Sequence, residues 1–351
     1  MTMTGRAKRL GVFILAVAGL VLLSLALLRR EAWSEQVSGG HYRGLVNGIP
    51  VSLFVPGSTG ETEGRVYDHF AGELRYFDVG ISRTPWLWEG ETGAGWLKLK
   101  GELNGACVVA WSATSNGPQR SISFERLADN LVQDRSTAIF VGRGMLRTCY
   151  RAERPRLAEM CDQELQATDR KAADEFVKVS WGDVWDRIRY GGGLSGGEGF
   201  VRRDVMFASS NVISLLEGSY EYSGGAHGMF WRQGRNWHRE GGQWSRLELE
   251  DLFMKDSDWR QRLGELVKAG LVRQGASGVV SAEGEVSGEA FEFKGTEPFT
   301  ANEFGVTIHY SPYEVGSYAE GCFGVFVPFE ELQGLLQPRG PLRHLWKWKG
   351  G

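Results

Sequence analysis

The sequence has no concentrated basic block: 40 Lys and Arg are set against 43 Asp and Glu, and the formal net charge is −3. Binding to nucleic acid requires a dense positive face, so no nucleic-acid partner is expected. Metal-ligand spacing is missing too. The 4 Cys and 6 His form no C-x-x-C pair and no His/Cys cluster, and neither a metal nor a cofactor is expected. The glycine-rich stretch from Gly191 to Gly199 lacks the Gly-Lys-Ser/Thr ending of a phosphate-binding loop, which removes nucleotides from consideration. Proline is scarce, 10 residues against 49 Gly, the balance of a β-rich chain with many tight turns. A hydrophobic share of 42% excludes disorder as the state of the whole chain.

Only one long apolar run is present, Leu10 to Leu28, interrupted by nothing more polar than Gly and Ser. At about 1.5 Å per residue such a run just crosses a bilayer core. Arg6, Lys8 and Arg9 precede it, and Arg29 and Arg30 come after it. A cleaved signal peptide is the competing reading. The core, however, exceeds the usual 7–15 residues or so of such peptides, and no small-x-small site stands after it. The expectation is an uncleaved, single-pass signal anchor with residues 1–9 in the cytoplasm and a linker at 29–40. The body is then expected on the periplasmic or extracellular side of a bacterial cytoplasmic membrane.

From His41 to Leu127 the pattern is all-β. HYRGLV and VSLFV flank Asn47-Gly48, a strong hairpin signal. GRVYDHF, ELRYFDVGIS, WLWEG, GWLKLKGEL, CVVAWSA and SISFERL come next at short spacing, as in a meander closing into a small barrel or sandwich. TAIFVGRGML reads as a further strand. Pro155 suits the first turn of a helix, and Leu157, Cys161, Leu165, Ala172 and Phe176 recur with helical spacing up to about Val179. Strands are expected near 200–208, 211–222 and 227–238, a second helix from Ser257 to Val272, and two strands joined by a loop at 311–321. The expected fold is α+β. A membrane helix at 10–28 precedes an all-β domain at 41–127, an α+β domain at 136–337 with a mostly antiparallel sheet and two to three helices, and a tail at 338–351.

Four cysteines, Cys107, Cys149, Cys161 and Cys322, allow three pairings. Cys149 and Cys161 are the closest in sequence, and an oxidising compartment favours a disulfide between them, contributing about 3 kcal/mol in the chain-entropy picture. Buried free thiols are the reading for the other two.

The sharpest local feature is SYEYSGGAHGMFW at 219–231, in which consecutive glycines permit a tight turn. His227 within it is either a structural turn residue or a binding residue. A Ser–His hydrolase would pair Ser219 or Ser223 with His227, but neither serine stands in a G-x-S-x-G turn. YSPYEVGSYAE at 310–320 gathers Tyr310, Pro312, Tyr313 and Tyr318. Tyr supplies large, rigid contact area, so this loop is either a recognition surface or a set of rings packed under the loop. Trp86, Trp88, Trp96 and Trp111 pose the same choice between a stacking platform and core anchors.

In order and spacing, SYEYSGGAHGMFW, LELEDLF and HYSPYEVGSYAEGCFGVFVPFEEL resemble the C-terminal extracytoplasmic domain of the RsiV-like family. This family is named for the anti-sigma-V factor, whose outer half is a lysozyme receptor, and its domain of unknown function also occurs in other envelope proteins. The resemblance implies binding through the Pro312–Tyr313 loop, with Tyr310, Tyr318 and His227 beside it, and brings no catalytic residue. Nine residues precede the apolar run, so sigma-factor release is not expected. The expected function is a membrane-anchored envelope binding protein, with a lysozyme-like protein or peptidoglycan as partner. The alternative is an enzyme acting on peptidoglycan with His227 and a nearby acid transferring protons.

Overall fold

A computed structural model describes residues 33–34, 39–46, 49–55, 63–69, 73–78, 86–90, 93–103, 106–112, 118–141, 145–190, 197–222, 226–280 and 291–341, with only the backbone described at 33–34, 49, 63, 73–78, 86–90, 93–103, 110–112, 129–141, 145–149 and 177–190. The apolar run 10–28 and most of the C-terminal tail lie outside the described residues. Among those described, no helix is long and apolar enough to cross a membrane.

The chain builds a mostly antiparallel α+β fold with two α-helices among the described residues. Its first half comprises β1 (Trp33–Ser34), β2 (Gly40–Val46), β3 (Ile49–Val55), β4 (Glu63–Asp68), β5 (Glu73–Asp78), β6 (Trp86–Gly90), β7 (Gly93–Leu103) and β8 (Ala106–Ser112). Val46 pairs with Ile49, the register expected of a two-residue hairpin. Val51, Leu53, Val55 and Val66 from β3 and β4 close with Cys107 and Val109 of β8 around Tyr42 and Phe124.

β9 (Arg120–Val141) is a single strand of 22 residues. It pairs first with β8 and β2, then with β10 (Met145–Arg156), and so runs without a break from the all-β half into the α+β half of the chain. Pro155, expected to open a helix, lies instead in β10. It has no N–H for the ladder, and the register shifts between Arg154 and Arg156 there, a bulge that accommodates it. Helix α1 (Glu159–Tyr190) starts after this strand and returns along it to the parallel neighbour β11 (Glu198–Ala208). The sheet continues through β12 (Val212–Tyr222), β13 (Met229–Glu240) and β14 (Gln243–Arg246).

α1 covers one face of this sheet. Cys161 and Leu165 pack with Val205, Leu215 and Trp237, and Ala173 and Phe176 pack with Tyr150 and Ala152. That direction overturns the expected Cys149–Cys161 disulfide. Cys149 adjoins Tyr150, whose ring meets Phe176 at 5.7 Å. Cys161 sits four turns earlier in α1, roughly 22 Å along the axis at 1.5 Å per residue. Cys161 is a free, buried thiol, Cys322 is free as well, and Cys107 is buried in the core of the all-β half. Burial, with Glu164 nearby, pushes the Cys161 thiol up to about 12.

Beneath α1 runs a buried charge ladder. Arg203 donates to both oxygens of Asp169 at 3.0 and 2.6 Å and to Glu217 at 2.6 Å, and Glu217 also accepts two bonds from Arg235 at 2.7 and 2.8 Å. On the opposite face the all-β half docks. The Val205 N–H donates to His41 Nδ1 at 3.1 Å, and Arg65 donates to Asp204 at 2.9 Å. Tyr67 fills a pocket with Met206 and Leu216.

The last unit packs α2 (Trp259–Arg273) on a three-stranded sheet of β15 (Phe299–Ala301), β16 (Gly305–Tyr310) and β17 (Phe323–Pro328). Leu263, Val267 and Leu271 of α2 meet Val306, Ile308, Val325 and Val327 in the largest apolar core. The expected closing helix is a 3₁₀ turn, Phe329–Leu332.

Candidate functional site

The loop between β16 and β17 is anchored at both ends before it presents anything to solvent. Tyr310 is buried and meets Phe291 edge-on at 6.0 Å, and Pro312 is buried beside it. These two sequence-predicted residues are therefore supports beneath the surface. Ser311 accepts the Arg232 N–H at 3.1 Å, which ties the loop to β13, and its own N–H donates to Glu314 at 2.6 Å. Val315 is inserted into the α2 core, and its carbonyl accepts the Gly278 N–H at 3.0 Å.

The far end is held by Glu320. Its carboxylate accepts from the backbone N–H and hydroxyl of both Ser277 and Ser317. Hydrogen bonds from these two serines hold the carboxyl down at about 2. Ser277 and Glu320 were not among the expected site residues, although Ser317-x-x-Glu320 is a capping box readable from the sequence. The partner Ser277, in the turn after α2, carries no such signal.

Between these anchors stands Tyr313, with φ at 73° and 57% of its surface exposed. It is the one positive-φ non-glycine residue among those described. A bulky side chain in this region costs roughly 1–2 kcal/mol, and residues held there concentrate at functional sites. The Tyr313 N–H donates to the Gly316 carbonyl at 3.0 Å, which closes the turn.

Three of the sequence-predicted residues converge here. Tyr318 stacks on His227 with centroids 4.0 Å apart, and Tyr313 lies 5.7 Å from Tyr318. The Tyr318 hydroxyl and His227 Nδ1 both donate to the Gly228 carbonyl, at 2.8 and 2.9 Å. Gly228 is required at this point, because a Cβ there would collide with the Tyr220 ring, itself stacked on Phe200 at 5.2 Å. Trp231, 39% exposed, comes next on β13. The result is a shelf of rings on a braced loop. Among the described residues no hydrogen bond links His227 to Ser219, and Ser223 lies outside them. Elsewhere, His238 bonds Ser245 and His309 bonds Thr300. Trp86, Trp88, Trp96 and Trp111 lie on β6–β8, with side chains outside the described residues.

Residues 250–330, which carry α2, the three-stranded sheet and the Tyr313 loop, match a family model described as "Protein of unknown function (DUF3298)". No curated protein matches the chain. Among solved structures, the chain is similar to a DUF3298 family member from Bacteroides fragilis NCTC 9343, at 18% identity and a TM-score of 0.42, covering 59% of this chain and 94% of that one. It is also similar to a DUF3298 family protein from Pseudomonas aeruginosa PAO1, at 17% identity and a TM-score of 0.39, covering 60% of this chain and 96% of that one.

Proposed function

We propose that this protein is a membrane-anchored binding protein of the bacterial cell envelope, RsiV-like in its C-terminal half. In this reading it takes up a lysozyme-like protein on the Tyr313 shelf and performs no reaction itself. The observation that carries the proposal is the placement of Tyr313, exposed and at positive φ above the Tyr318–His227 stack. A strained, rigid, exposed aromatic residue has little entropy left to lose on binding, which is what an interface anchor needs. The apolar run 10–28 with its basic flanks supports the anchoring, with the body outside the cytoplasm.

The test is calorimetric titration of the full-length chain in nanodiscs with a chicken-type lysozyme. Sub-micromolar binding, beyond about −8 kcal/mol, is expected, with Tyr313→Ala losing about 2 kcal/mol. Retention on purified sacculi with no heat from lysozyme moves the partner to wall glycan. Absence of both, or full affinity in Tyr313→Ala, overturns the reading.

A further inference from the structure

A cleft of about 340 Å³ opens between the all-β half and the β15–β16 turn, and it shares no lining residue with the Tyr313 shelf. Its volume is at the low end of ordinary ligand pockets, which span roughly 300–1,000 Å³. The walls include Val51, Ile122 and Met206. At its rim stand Leu45, 46% exposed, and Phe304, 37% exposed, two of the few large apolar side chains left open to water among the described residues. Apolar side chains around a concave site offer a surface that the apolar body of a small ligand can cover.

The polar groups set the sign of that occupant's charge. Arg43 is already engaged. It donates to Glu303 Oε2 at 2.7 Å and to Glu125 Oε2 from two nitrogens at 3.2 and 2.9 Å, and its guanidinium lies 5.1 Å from the Phe207 ring centre. Each carboxylate keeps its Oε1 without a partner among the described residues. The floor adds no charge. Asn302 Oδ1 accepts the Phe304 and Gly305 N–H groups at 2.8 and 3.1 Å, so its amide nitrogen faces His69 Nδ1 at 3.1 Å. The ring therefore accepts at Nδ1 and donates from Nε2 to Ser52 Oγ at 2.9 Å. That proton placement is the reverse of what a base for a serine nucleophile requires. Burial holds His69 down at about 3, so it is neutral at ordinary pH. One guanidinium against two carboxylates leaves these three groups of the cleft with a net charge of −1.

We propose that this cleft binds a small organic cation, an ammonium group on a compact apolar body. The charged head takes the free Oε1 atoms of Glu125 and Glu303, and the body lies against Leu45, Ile122 and Phe304. The inference is independent of the reading of the Tyr313 shelf.

The experiment titrates the full-length chain in nanodiscs with benzylammonium, and with benzoate and benzyl alcohol as matched anionic and neutral probes. Benzylammonium is expected to saturate, with the other two binding at least about tenfold more weakly, as loss of a charge-assisted bond implies. Glu303→Gln keeps the shape and removes the charge, and is expected to weaken benzylammonium about tenfold. Leu45→Trp fills the mouth without touching an ion pair and is expected to remove binding. It decides alone should Glu303→Gln fail to fold. Tyr313→Ala is expected to bind benzylammonium as the wild type does. Equal affinity for benzoate or benzyl alcohol, unchanged binding in Leu45→Trp, or no saturable signal from benzylammonium would overturn the proposal.

Discussion

Tyr318 and His227 lie ring on ring, 4.0 Å between centroids and 22° between planes, and both donate to one carbonyl, that of Gly228. This contact fastens the β16–β17 loop to the turn before β13 and sets the height at which Tyr313 stands. Replacing Tyr318 by Ala should cost about 1 kcal/mol of stability, the scale of an aromatic pair. It should also move the His227 ring-proton resonances downfield as the ring current is lost. Tyr318→Phe keeps the stack, and the His227 shifts should stay near the wild-type values. Equal shifts in the two variants would show that the stack is absent in solution.

Tyr313 gives a prediction of opposite sign for stability and binding. Glycine adopts φ near 73° without a Cβ clash, so Tyr313→Gly should raise stability by a few tenths to about 1 kcal/mol after its larger unfolded-state entropy is counted. Tyr313→Val should lower it, because a β-branched residue fits that region worst. Urea unfolding of the three chains gives the order directly.

The bonds to Glu320 make the loop sensitive to acid. Its folded-state value, about 2, is depressed from an ordinary value of 4.5. The stabilisation is therefore complete above about 4.5 and is lost as pH falls toward 2. Protection factors of the Ser277 and Ser317 amides should be level from pH 7 to pH 5 and decline below about pH 4. Glu320→Gln should show low protection at every pH.

The ladder under α1 concerns stability of the whole sheet. Arg203→Met leaves the buried Asp169 carboxylate without its two-pronged partner, and a cost of about 3–5 kcal/mol is expected. Because the group is buried, salt should not restore it. A loss under 1 kcal/mol in chemical unfolding would mean that Arg154, 3.6 Å from Asp169, takes over the charge.

Much of this architecture is legible in the amino-acid order, and the exceptions have physical causes. Asn47-Gly48 reads as a two-residue hairpin, and Val46 lies opposite Ile49. Strands β11, β12 and β13 and helix α2 fall within about two residues of their expected positions, because each has a clear period bounded by Gly or polar turns. Pro155 misleads because a proline at a helix start and a proline in a strand bulge look alike without the partner strand. Asp129 and Asp134 fall between the two domains expected at 41–127 and 136–337, yet they lie inside β9, opposite Arg156 and Ala152 of β10. The Cys149–Cys161 distance was hidden for a related reason: a strand succeeded by a helix running back along it separates residues close in sequence. At the site, the motif picked out His227, Tyr318 and Tyr313 together. Spacing alone does not say that Tyr310 and Pro312 point inward, since burial depends on α2 and on Phe291, which lies far from them in sequence order. The cleft carries no local signal at all, because Arg43, Glu125 and Glu303 come from three distant segments.

The continuity of β9 has a bearing on how this protein is made. During synthesis the all-β half, together with the whole of β9, is complete before β10 exists. The second part of that strand then waits with an unpaired ladder, the kind of open edge that recruits foreign strands. A nascent chain halted near residue 141 should need a chaperone to stay soluble. The finished molecule should melt in a single transition, since neither half can lose its structure without leaving the other with half of a strand.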